Sequence, residues 1–310
     1  MQERRGVLDS DERLRSLSAA DFPARQSHST VALVHPRFFD RTYVINPHMG
    51  GRVDRERARE QWDRMRAVLN RHAADVRVLD PAAVEESLED RNVPPPETQP
   101  DMVFIANHAI PTADGEGVVP AQMATPERAS EPVYFREWAE QQGYTVGPAP
   151  TAVFEGAGDA VWHPGRRLLW GGHGVRSDPA AYGELADRLG AAVVPLELAD
   201  DRYFHLDLCL LPLSETAALV QPEAFSSAAY NKLKAVFETL IEAPAGEALD
   251  SFAVNGTVMD GTVVAGTGTP VTTERLEAAG YDVVSVETGE FLKAGGSVGC
   301  LTLRLGTPGH

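Results

Sequence analysis

The 310-residue sequence contains only two cysteines, Cys209 and Cys300. Two cysteines are too few for the disulfide framework that stabilises small secreted proteins, so a reducing cytoplasm is the expected compartment. The N-terminal segment lacks the apolar stretch of a signal peptide, and no run of about 18 apolar residues occurs that could span a bilayer. These absences predict a soluble, cytoplasmic protein without a membrane partner.

Basic residues are also scarce. The chain has 28 Lys and Arg against 45 Asp and Glu, a formal net charge of −17. Binding to a phosphate backbone depends on clustered Lys and Arg, so we expect no nucleic-acid partner. Hydrophobic residues make up 43% and charged residues 24% of the chain, which is typical of a globular protein with a packed core.

Short strands dominate the predicted secondary structure. About a dozen β-branched runs of four to nine residues are bounded by Gly, Pro, Asn or Asp. Amphipathic stretches between them predict helices at 54–72, 131–142, 179–190, 228–243 and 273–279. This alternation indicates an α/β fold, and the many direct strand-to-strand turns favour several small modules over one doubly wound sheet.

The domain organisation follows from the same pattern. Residues 1–28 mix charges, Ser and Ala without a sustained apolar period, which predicts a flexible N-terminal extension outside the core. Residues 29–310 show no linker, since the Pro-rich piece at 92–101 indicates a connector leading into a strand. We expect a single catalytic domain over 29–310.

Four apolar segments predicted as strands carry polar or reactive side chains. They are FIANHA (104–109), FEGAGDAVW (154–162), FHLDLCLLPL (204–213) and GGSVGCLTLRL (295–305). Buried polar groups are costly unless they are paired or used, so these segments are candidate site segments.

Three of their residues could act together in catalysis. A thiol (Cys300), an imidazole (His205) and a carboxylate (Glu155) are the ingredients of cysteine-based nucleophilic catalysis, in which only convergence in space matters. Each also has a structural alternative: Glu155 as a turn-forming carboxylate, His205 as a hydrogen-bonded core histidine, and Cys300 as a small buried hydrophobe.

The motifs carry a family resemblance. TYVINPHM (42–49), VFIANHAI (103–110), TPER (125–128), FEGAGDAVW, GGHGVRSD (171–178), FHLDLCLLPL and FLKAGGSVGCLTLRL occur in family order across residues 30–306. They resemble the amidinotransferase and dimethylargininase branch of the pentein, or guanidino-group-modifying, superfamily. The resemblance implies an α/β propeller of five ββαβ modules with pseudo-fivefold symmetry and a central active site.

The resemblance also implies the catalytic roles. Cys300 would be the nucleophile, His205 the general acid and base, and Glu155 the carboxylate that grips the substrate's guanidinium. The covalent thiouronium chemistry requires neither a cofactor nor a metal. A guanidinium is planar, cationic and rich in donors, so a carboxylate is its natural complement.

Further residues are implied to bind the substrate. Arg176 matches the family arginine that binds the substrate α-carboxylate, and an Arg offers a bidentate partner for that group. Asp159 and Asp207 are expected to hold the guanidinium or to orient His205.

Two asparagines point to the reaction. Asn46 and Asn107 resemble the arginine dihydrolase group, which converts arginine to ornithine, ammonia and carbon dioxide. An amide can hydrogen-bond a neutral urea as donor or acceptor, which suits a citrulline intermediate. Asn46 has an alternative as a turn residue before Pro47.

Other readings stay open at this point. His48, Ala124, His108 and His173 depart from the arginine dihydrolase pattern, which leaves room for another guanidino substrate. Alternative activities are dimethylarginine hydrolysis to citrulline, amidino transfer to an amine, and a catalytically silent binding scaffold. The expected partner is a small guanidino compound, arginine or a derivative, and homo-oligomerisation is possible.

Overall fold

Short strands form five separate sheets in the part of the chain that the structure describes. The computed structural model describes residues 5–10, 14, 16–88 and 92–308. In each sheet the middle strand is antiparallel to the first strand and parallel to the third. The sheets, written as first, middle and third strand, are Leu303–Leu305, Thr30–Val34 and Asp75–Leu79; Ala109–Pro111, Gly117–Pro120 and Thr145–Val146; Ala160–Trp162, Leu168–His173 and Ala192–Glu197; Leu210–Pro212, Ala217–Val220 and Thr239–Glu242; and Thr257–Met259, Thr262–Gly266 and Asp282–Val286.

One helix connects the middle strand of each sheet to the third, so four sheets follow a ββαβ order along the chain, and in the remaining sheet the C-terminal strand Leu303–Leu305 takes the first position. These connecting helices are Arg55–His72, Glu131–Gln141, Ala181–Leu189, Ser227–Val236 and Pro270–Ala278. Smaller helices at Pro81–Ser87, Ala245–Asp250, Gly156–Asp159 and Gly289–Leu292 lie in the connections. A mixed α/β fold is therefore confirmed.

The five predicted helices are all present. The longest begins after Asp54, whose side chain accepts hydrogen bonds from the backbone N–H groups of Glu56 and Arg57. Its buried face includes Trp62 and Met65, as the apolar spacing predicts. The helix predicted at 228–243 ends at Val236, because Thr239–Glu242 pairs with Ala217–Val220 as a strand.

The site segments do not begin as strands. Residues predicted as strand at 104–109, 154–162 and 204–213 start with a short helical turn, at Ile105–His108, Gly156–Asp159 and Leu206–Leu208. The strand follows the turn directly in the first two segments and follows after Cys209 in the third, and each of these strands is three residues long. These turns are buried, so they are rich in apolar residues, and that composition resembles a buried strand.

The N-terminal segment packs more closely than its composition indicates. Gly6–Val7 pairs in parallel with Ala192 and Val193, and Leu8, Leu14 and Phe22 are buried in the main core. The prediction that the segment lies outside the core is wrong for these residues. Their apolar side chains are spaced without a helical or strand period, so the sequence pattern does not show that they are buried. Residues 1–4, 11–13 and 15 of the predicted extension lie outside the described residues.

No helix among the described residues is long and apolar enough to cross a membrane.

Candidate active site

Polar side chains cluster in the segment that precedes the first strand of each sheet. Asn107, Asp159, Asp207, Asn255 and Cys300 each lie one to three residues before such a strand. All five are buried. The repeated position means that every sheet contributes one polar group to the same region of the molecule.

Cys300 is held from two neighbouring segments. The Asn255 side chain donates from Nδ2 to the Cys300 sulfur at 3.2 Å, while its Oδ1 accepts from the backbone N–H groups of Ser297 and Cys300, both at 3.1 Å. The Cys300 thiol donates to Asp207 Oδ2 at 3.3 Å. Asn255 thus fixes both the sulfur and the turn that carries it.

The charge state of this pair depends on burial. Burial and the neighbouring Asp207 carboxylate raise the pKa of the Cys300 thiol well above its ordinary value. Burial also raises the pKa of Asp207 to about 6, against the opposing effect of His205, and Asp207 Oδ1 has no hydrogen-bond partner. The site therefore holds a neutral thiol beside a carboxyl group with an unused acceptor.

His205 is oriented by Glu155. Its Nε2 donates to Glu155 Oε2 at 2.5 Å, and its Nδ1 lies 3.5 Å from Asn107 Nδ2. Glu155 Oε1 accepts from the backbone N–H of Ala124 at 2.9 Å. Burial would raise the pKa of Glu155, but the His205 hydrogen bond, the His205 charge and the charge of Arg176 outweigh burial and lower it to about 2.

Asp159 supports the backbone directly after His205. Its Oδ2 accepts from Ser177 Oγ at 2.6 Å and from the Ser177 backbone N–H at 3.2 Å, and its Oδ1 accepts from the Leu206 N–H at 3.1 Å. Ser177 Oγ is also 3.0 Å from the Glu155 N–H. Asp159 therefore ties together the segments of Glu155 and His205.

Arg176 faces the cavity with one nitrogen free. Its Nη2 donates to the Ile45 carbonyl at 2.6 Å, and its guanidinium stacks over Phe204 at 5.4 Å from the ring centre. Its Nη1 lies 3.6 Å from Glu155 Oε1 and has no hydrogen-bond partner. A substrate carboxylate could occupy that free donor.

Asn107 is fixed by a buried ion pair behind the cavity. Its Oδ1 accepts from Arg128 Nη1 at 2.9 Å, and its Nδ2 is 3.4 Å from the Glu155 carbonyl. Arg128 pairs in turn with Glu131 at 2.7 Å, and both side chains are buried. The Arg128 contact orients the Asn107 amide so that its NH₂ group faces His205.

Asn46 has contacts that fit both of its possible roles. Its Oδ1 accepts from the His48 N–H at 3.0 Å, which is the local bond of an Asx turn. Its Nδ2 donates to the Ala294 carbonyl at 3.3 Å, and the residue also lines the cavity.

A small cavity brings five of the predicted residues together. Cys300, His205, Arg176, Asn107 and Asn46 line it. Asp101 and Arg128 also line it, and Asp101 Oδ1 has no hydrogen-bond partner. Glu155, Asp159 and Asp207 are not part of its lining and act from the layer behind it. Charged groups of both signs around a buried thiol suit a ligand that carries both positive and negative groups, such as a guanidino amino acid.

Comparison with known proteins identifies the family. The family model for eukaryotic N,N dimethylarginine dimethylhydrolase matches residues 48–306. The chain belongs to the dimethylarginine dimethylhydrolase family.

Similar proteins include an arginine dihydrolase and a dimethylarginine dimethylaminohydrolase. The bifunctional arginine dihydrolase/ornithine cyclodeaminase AgrE of Nostoc sp. is 36% identical over 279 residues, which are 88% of this chain and 37% of AgrE. The chain thus spans little more than a third of that relative. The dimethylarginine dimethylaminohydrolase of Mycobacterium tuberculosis is 36% identical over 289 residues, covering 91% of this chain and 88% of that protein.

Solved structures of similar proteins agree with the fold. The N-terminal domain of ArgZ, an arginine dihydrolase from cyanobacteria, has been solved with bound product and matches with a TM-score of 0.81 at 34% identity, over 90% of this chain and 98% of that chain. A dimethylarginine dimethylaminohydrolase adduct with S-methyl-L-thiocitrulline has a TM-score of 0.73 at 21% identity, over 90% of this chain and all of that chain, and supports the fold alone.

The residues that depart from the arginine dihydrolase pattern lie outside the cavity lining. The His48 ring contacts Phe252 and its Nε2 lies 2.7 Å from the Arg202 carbonyl. His108 is buried against Glu131, and His173 is partly buried at the end of a strand. Ala124 contributes its backbone N–H to Glu155. Within this family site, the added imidazoles do not line the cavity.

The second cysteine lies in the core. Cys209 is fully buried, its sulfur contacts the His205 and Leu206 carbonyls, and burial raises the pKa of its thiol well above the ordinary value. It is absent from the cavity lining.

Sequence reasoning missed Asn255 and gave Arg128 no role. Asn255 interrupts the apolar run SFAVNGTVM, the same signal that marked the other site segments. Arg128 belongs to the TPER motif but carries no independent sign of burial in the sequence.

Proposed function

We propose that this protein is a cysteine-dependent hydrolase that converts arginine to ornithine, two ammonia and carbon dioxide with two molecules of water. The observation that carries the proposal is the cavity itself, which places a buried thiol, an imidazole, a free arginine donor and two asparagines around one space. The named activities of AgrE and ArgZ, and the product-bound ArgZ domain, support the same substrate class.

The substrate would activate the nucleophile. A guanidinium bound in the cavity brings a positive charge next to the Cys300 sulfur, which donates to Asp207 Oδ2. That charge lowers the pKa of Cys300, which burial and Asp207 raise, and the thiol proton passes to Nδ1 of His205. The thiolate then attacks the guanidinium carbon and forms the covalent adduct.

His205 would move the protons. Its Nε2 is engaged by Glu155, so Nδ1 is the nitrogen left to exchange protons with the substrate. It protonates the departing ammonia and then activates water against the thiouronium. Glu155 is buried with both oxygens occupied, so we assign it to orienting His205 and not to gripping the guanidinium.

Arg176 would bind the substrate's α-carboxylate through its free Nη1. Glu155, whose Oε1 lies 3.6 Å from this nitrogen, offsets part of the Arg176 charge. This assignment predicts selectivity for an amino acid over its decarboxylated amine.

The asparagines favour complete hydrolysis. AgrE and the Mycobacterium tuberculosis dimethylaminohydrolase are each 36% identical to this chain, so sequence identity alone does not choose between arginine and dimethylarginine as the substrate. Asn107 presents its NH₂ group to the cavity because Arg128 occupies its oxygen, and an NH₂ group can donate to the carbonyl of a bound citrulline. A second hydrolytic round needs this neutral intermediate to stay bound.

The test is a product analysis. Purified protein is incubated separately with arginine and with asymmetric dimethylarginine, and products are identified by mass spectrometry. We expect ornithine from arginine in wild type and a shift toward citrulline in Asn107→Asp, since a carboxylate cannot donate to the ureido oxygen. Asn231→Asp, the same change on a helix outside the cavity, serves as the control.

Each alternative activity has a distinct outcome. Dimethylamine and citrulline as the main products would replace the proposal with dimethylarginine hydrolysis. Transfer to added glycine would indicate an amidinotransferase. No turnover, together with no arginine-protected alkylation of Cys300, would indicate a binding scaffold.

We also propose that the five ββαβ sheets are the blades of a pseudo-fivefold propeller around this cavity. Their common strand pattern and the equivalent position of one polar residue before each first strand support that arrangement. We further propose that residues 29–310 form one catalytic domain. A homo-oligomer and a cytoplasmic location stay predictions, which light scattering and cell fractionation test.

A further inference from the structure

A second cavity lies behind the site segments. It opens to solvent, has a volume of about 190 Å³ and shares no lining residue with the cavity that holds Cys300 and His205. Its inner wall takes one residue from each of the five segments that carry the site: Ala106, Ala157, Asp207, Gly256 and Gly299. Asp207 is itself one of the polar site residues, and each of the other four lies within two residues of one. The same five segments therefore separate the two cavities.

Two arginines line the second cavity without a carboxylate partner. Neither Arg25 nor Arg304 forms an ion pair with any carboxylate in the described part of the chain. Burial, and for Arg25 also the charge of Arg304, lowers the pKa of each guanidinium to about 10. A buried cation is costly unless it is paired, and this chain has 45 acidic residues from which a partner could come.

The two guanidinium groups are held differently. Arg304 donates to the carbonyls of His28 and Val258, from Nε at 3.0 Å and from Nη1 at 2.5 Å. Arg25 lies over the Trp162 ring at 5.1 Å, and its Nε is buried without a hydrogen-bond partner. Arg304 is thus a fixed cation, whereas Arg25 has an unused donor.

Nearby titratable groups do not neutralise this pair. Burial, Arg25 and Arg304 lower the pKa of His28 to about 3, which keeps the imidazole neutral at physiological pH. Glu215 is paired with Arg166 at 2.7 Å, and Asp207 accepts from the Cys300 thiol. Asp114 accepts from the Thr112 hydroxyl at 2.6 Å and from the Glu116 N–H at 3.1 Å.

The rest of the wall is largely apolar. Trp162, Ile110, Leu211 and Val258 line the cavity beside the two arginines. An inorganic ion would leave this surface uncovered, whereas a ligand with both an anionic group and an apolar body would cover it.

We propose that the second cavity binds an organic carboxylate, with its oxygens on Arg25 and Arg304 and its apolar body against Trp162, Leu211 and Val258. The planar fork of an arginine matches a carboxylate in a bidentate geometry, and the free Nε of Arg25 supplies the donor. The site is separate from the one that binds the substrate, so it does not depend on the reaction proposed above.

The test measures binding with a matched pair of probes. Isothermal titration calorimetry compares 4-phenylbutyrate, its neutral amide 4-phenylbutyramide, and inorganic phosphate on the full chain. We expect the carboxylate to bind and the amide to bind at least about 10-fold more weakly, because the amide carries no charge for the arginine pair. Equal binding of acid and amide, no binding of the acid, or tighter binding of phosphate would overturn the proposal.

Variants assign the binding to one cavity. Arg25→Gln should weaken 4-phenylbutyrate binding about 10-fold or more, and Arg176→Gln, which removes the arginine of the catalytic cavity, should leave it unchanged. The opposite pattern would place the probe in the catalytic cavity and overturn the proposal. Arg25→Lys keeps the charge without the fork and should fall between wild type and Arg25→Gln, and an unchanged melting temperature shows that the variants remain folded.

Discussion

Replacing the buried carboxylate of Asp207 should make the protein more stable at neutral pH. The pKa of Asp207 is raised from 3.8 to about 6, chiefly by burial, and Oδ1 has no hydrogen-bond partner. A carboxyl group with a raised pKa binds its proton more tightly in the folded state, so folding is penalised as pH rises from the unfolded to the folded pKa. Asp207→Asn removes that penalty.

The size of the effect follows from the shift. A change from 3.8 to about 6 corresponds to about 3 kcal/mol of unfolding free energy at pH values above both pKa values. About 2 kcal/mol of this difference develops between roughly pH 4.5 and pH 7.5. Asp207→Asn should therefore gain about that much stability relative to wild type over this interval, while its hydrolytic activity falls if Asp207 holds the guanidinium.

Urea unfolding of both proteins at the two pH values measures the effect. Asp200→Asn provides a control of opposite sign, because the hydrogen bond from Arg202 lowers the pKa of Asp200. The stability that a lowered pKa contributes is almost fully present by about pH 4.5, so this control should be less stable than wild type by nearly the same amount at both pH values. A stability difference for Asp207→Asn that does not change with pH, or that falls as pH rises, would refute the reasoning.

Three further predictions concern catalysis. Cys300→Ser should abolish turnover in an ammonia-release assay, whereas Cys209→Ser should retain most activity, since only the first sulfur lines the cavity; the reverse pattern contradicts the nucleophile assignment. Arg176→Lys should raise KM for arginine about 10-fold or more, because Lys lacks the bidentate fork, and efficient wild-type turnover of agmatine would contradict this role. Glu155→Gln should lower kcat about 100-fold with a smaller change in KM, because His205 loses its charged hydrogen-bond partner, and an unchanged kcat would show that this partner is dispensable.

Much of the fold could be predicted because its helices have clear periods. The apolar stripe of Arg55–His72, with Trp62 and Met65 buried, marks its position to within a residue. The end of the helix at Val236 could not be predicted, because no Gly or Pro separates it from the strand at Thr239. A tertiary contact, the pairing with Ala217–Val220, decides that boundary.

The site residues were easier to find than their contacts. Cys300 and His205 stand out as reactive groups in apolar segments, and the structure brings them to one cavity. Glu155 was predicted to grip the guanidinium, and the structure adds a contact between its Oε2 and His205 Nε2 that the spacing of the two residues along the chain could not indicate. Asn255 also interrupts an apolar run, but its contact with the Cys300 sulfur is visible only in the structure.

The sheet that follows the nucleophile joins the two ends of the described chain. Leu303–Leu305 pairs with Thr30–Val34, and Cys300 lies three residues before that strand. Cys300 and the strand that follows it are synthesised after every other site residue. The pairing of that strand with Thr30–Val34 joins residues that are far apart in the sequence, and such contacts form slowly. A nascent chain therefore has no positioned thiol, and the appearance of arginine-protected alkylation in a refolding experiment would report that Leu303–Leu305 has paired with Thr30–Val34.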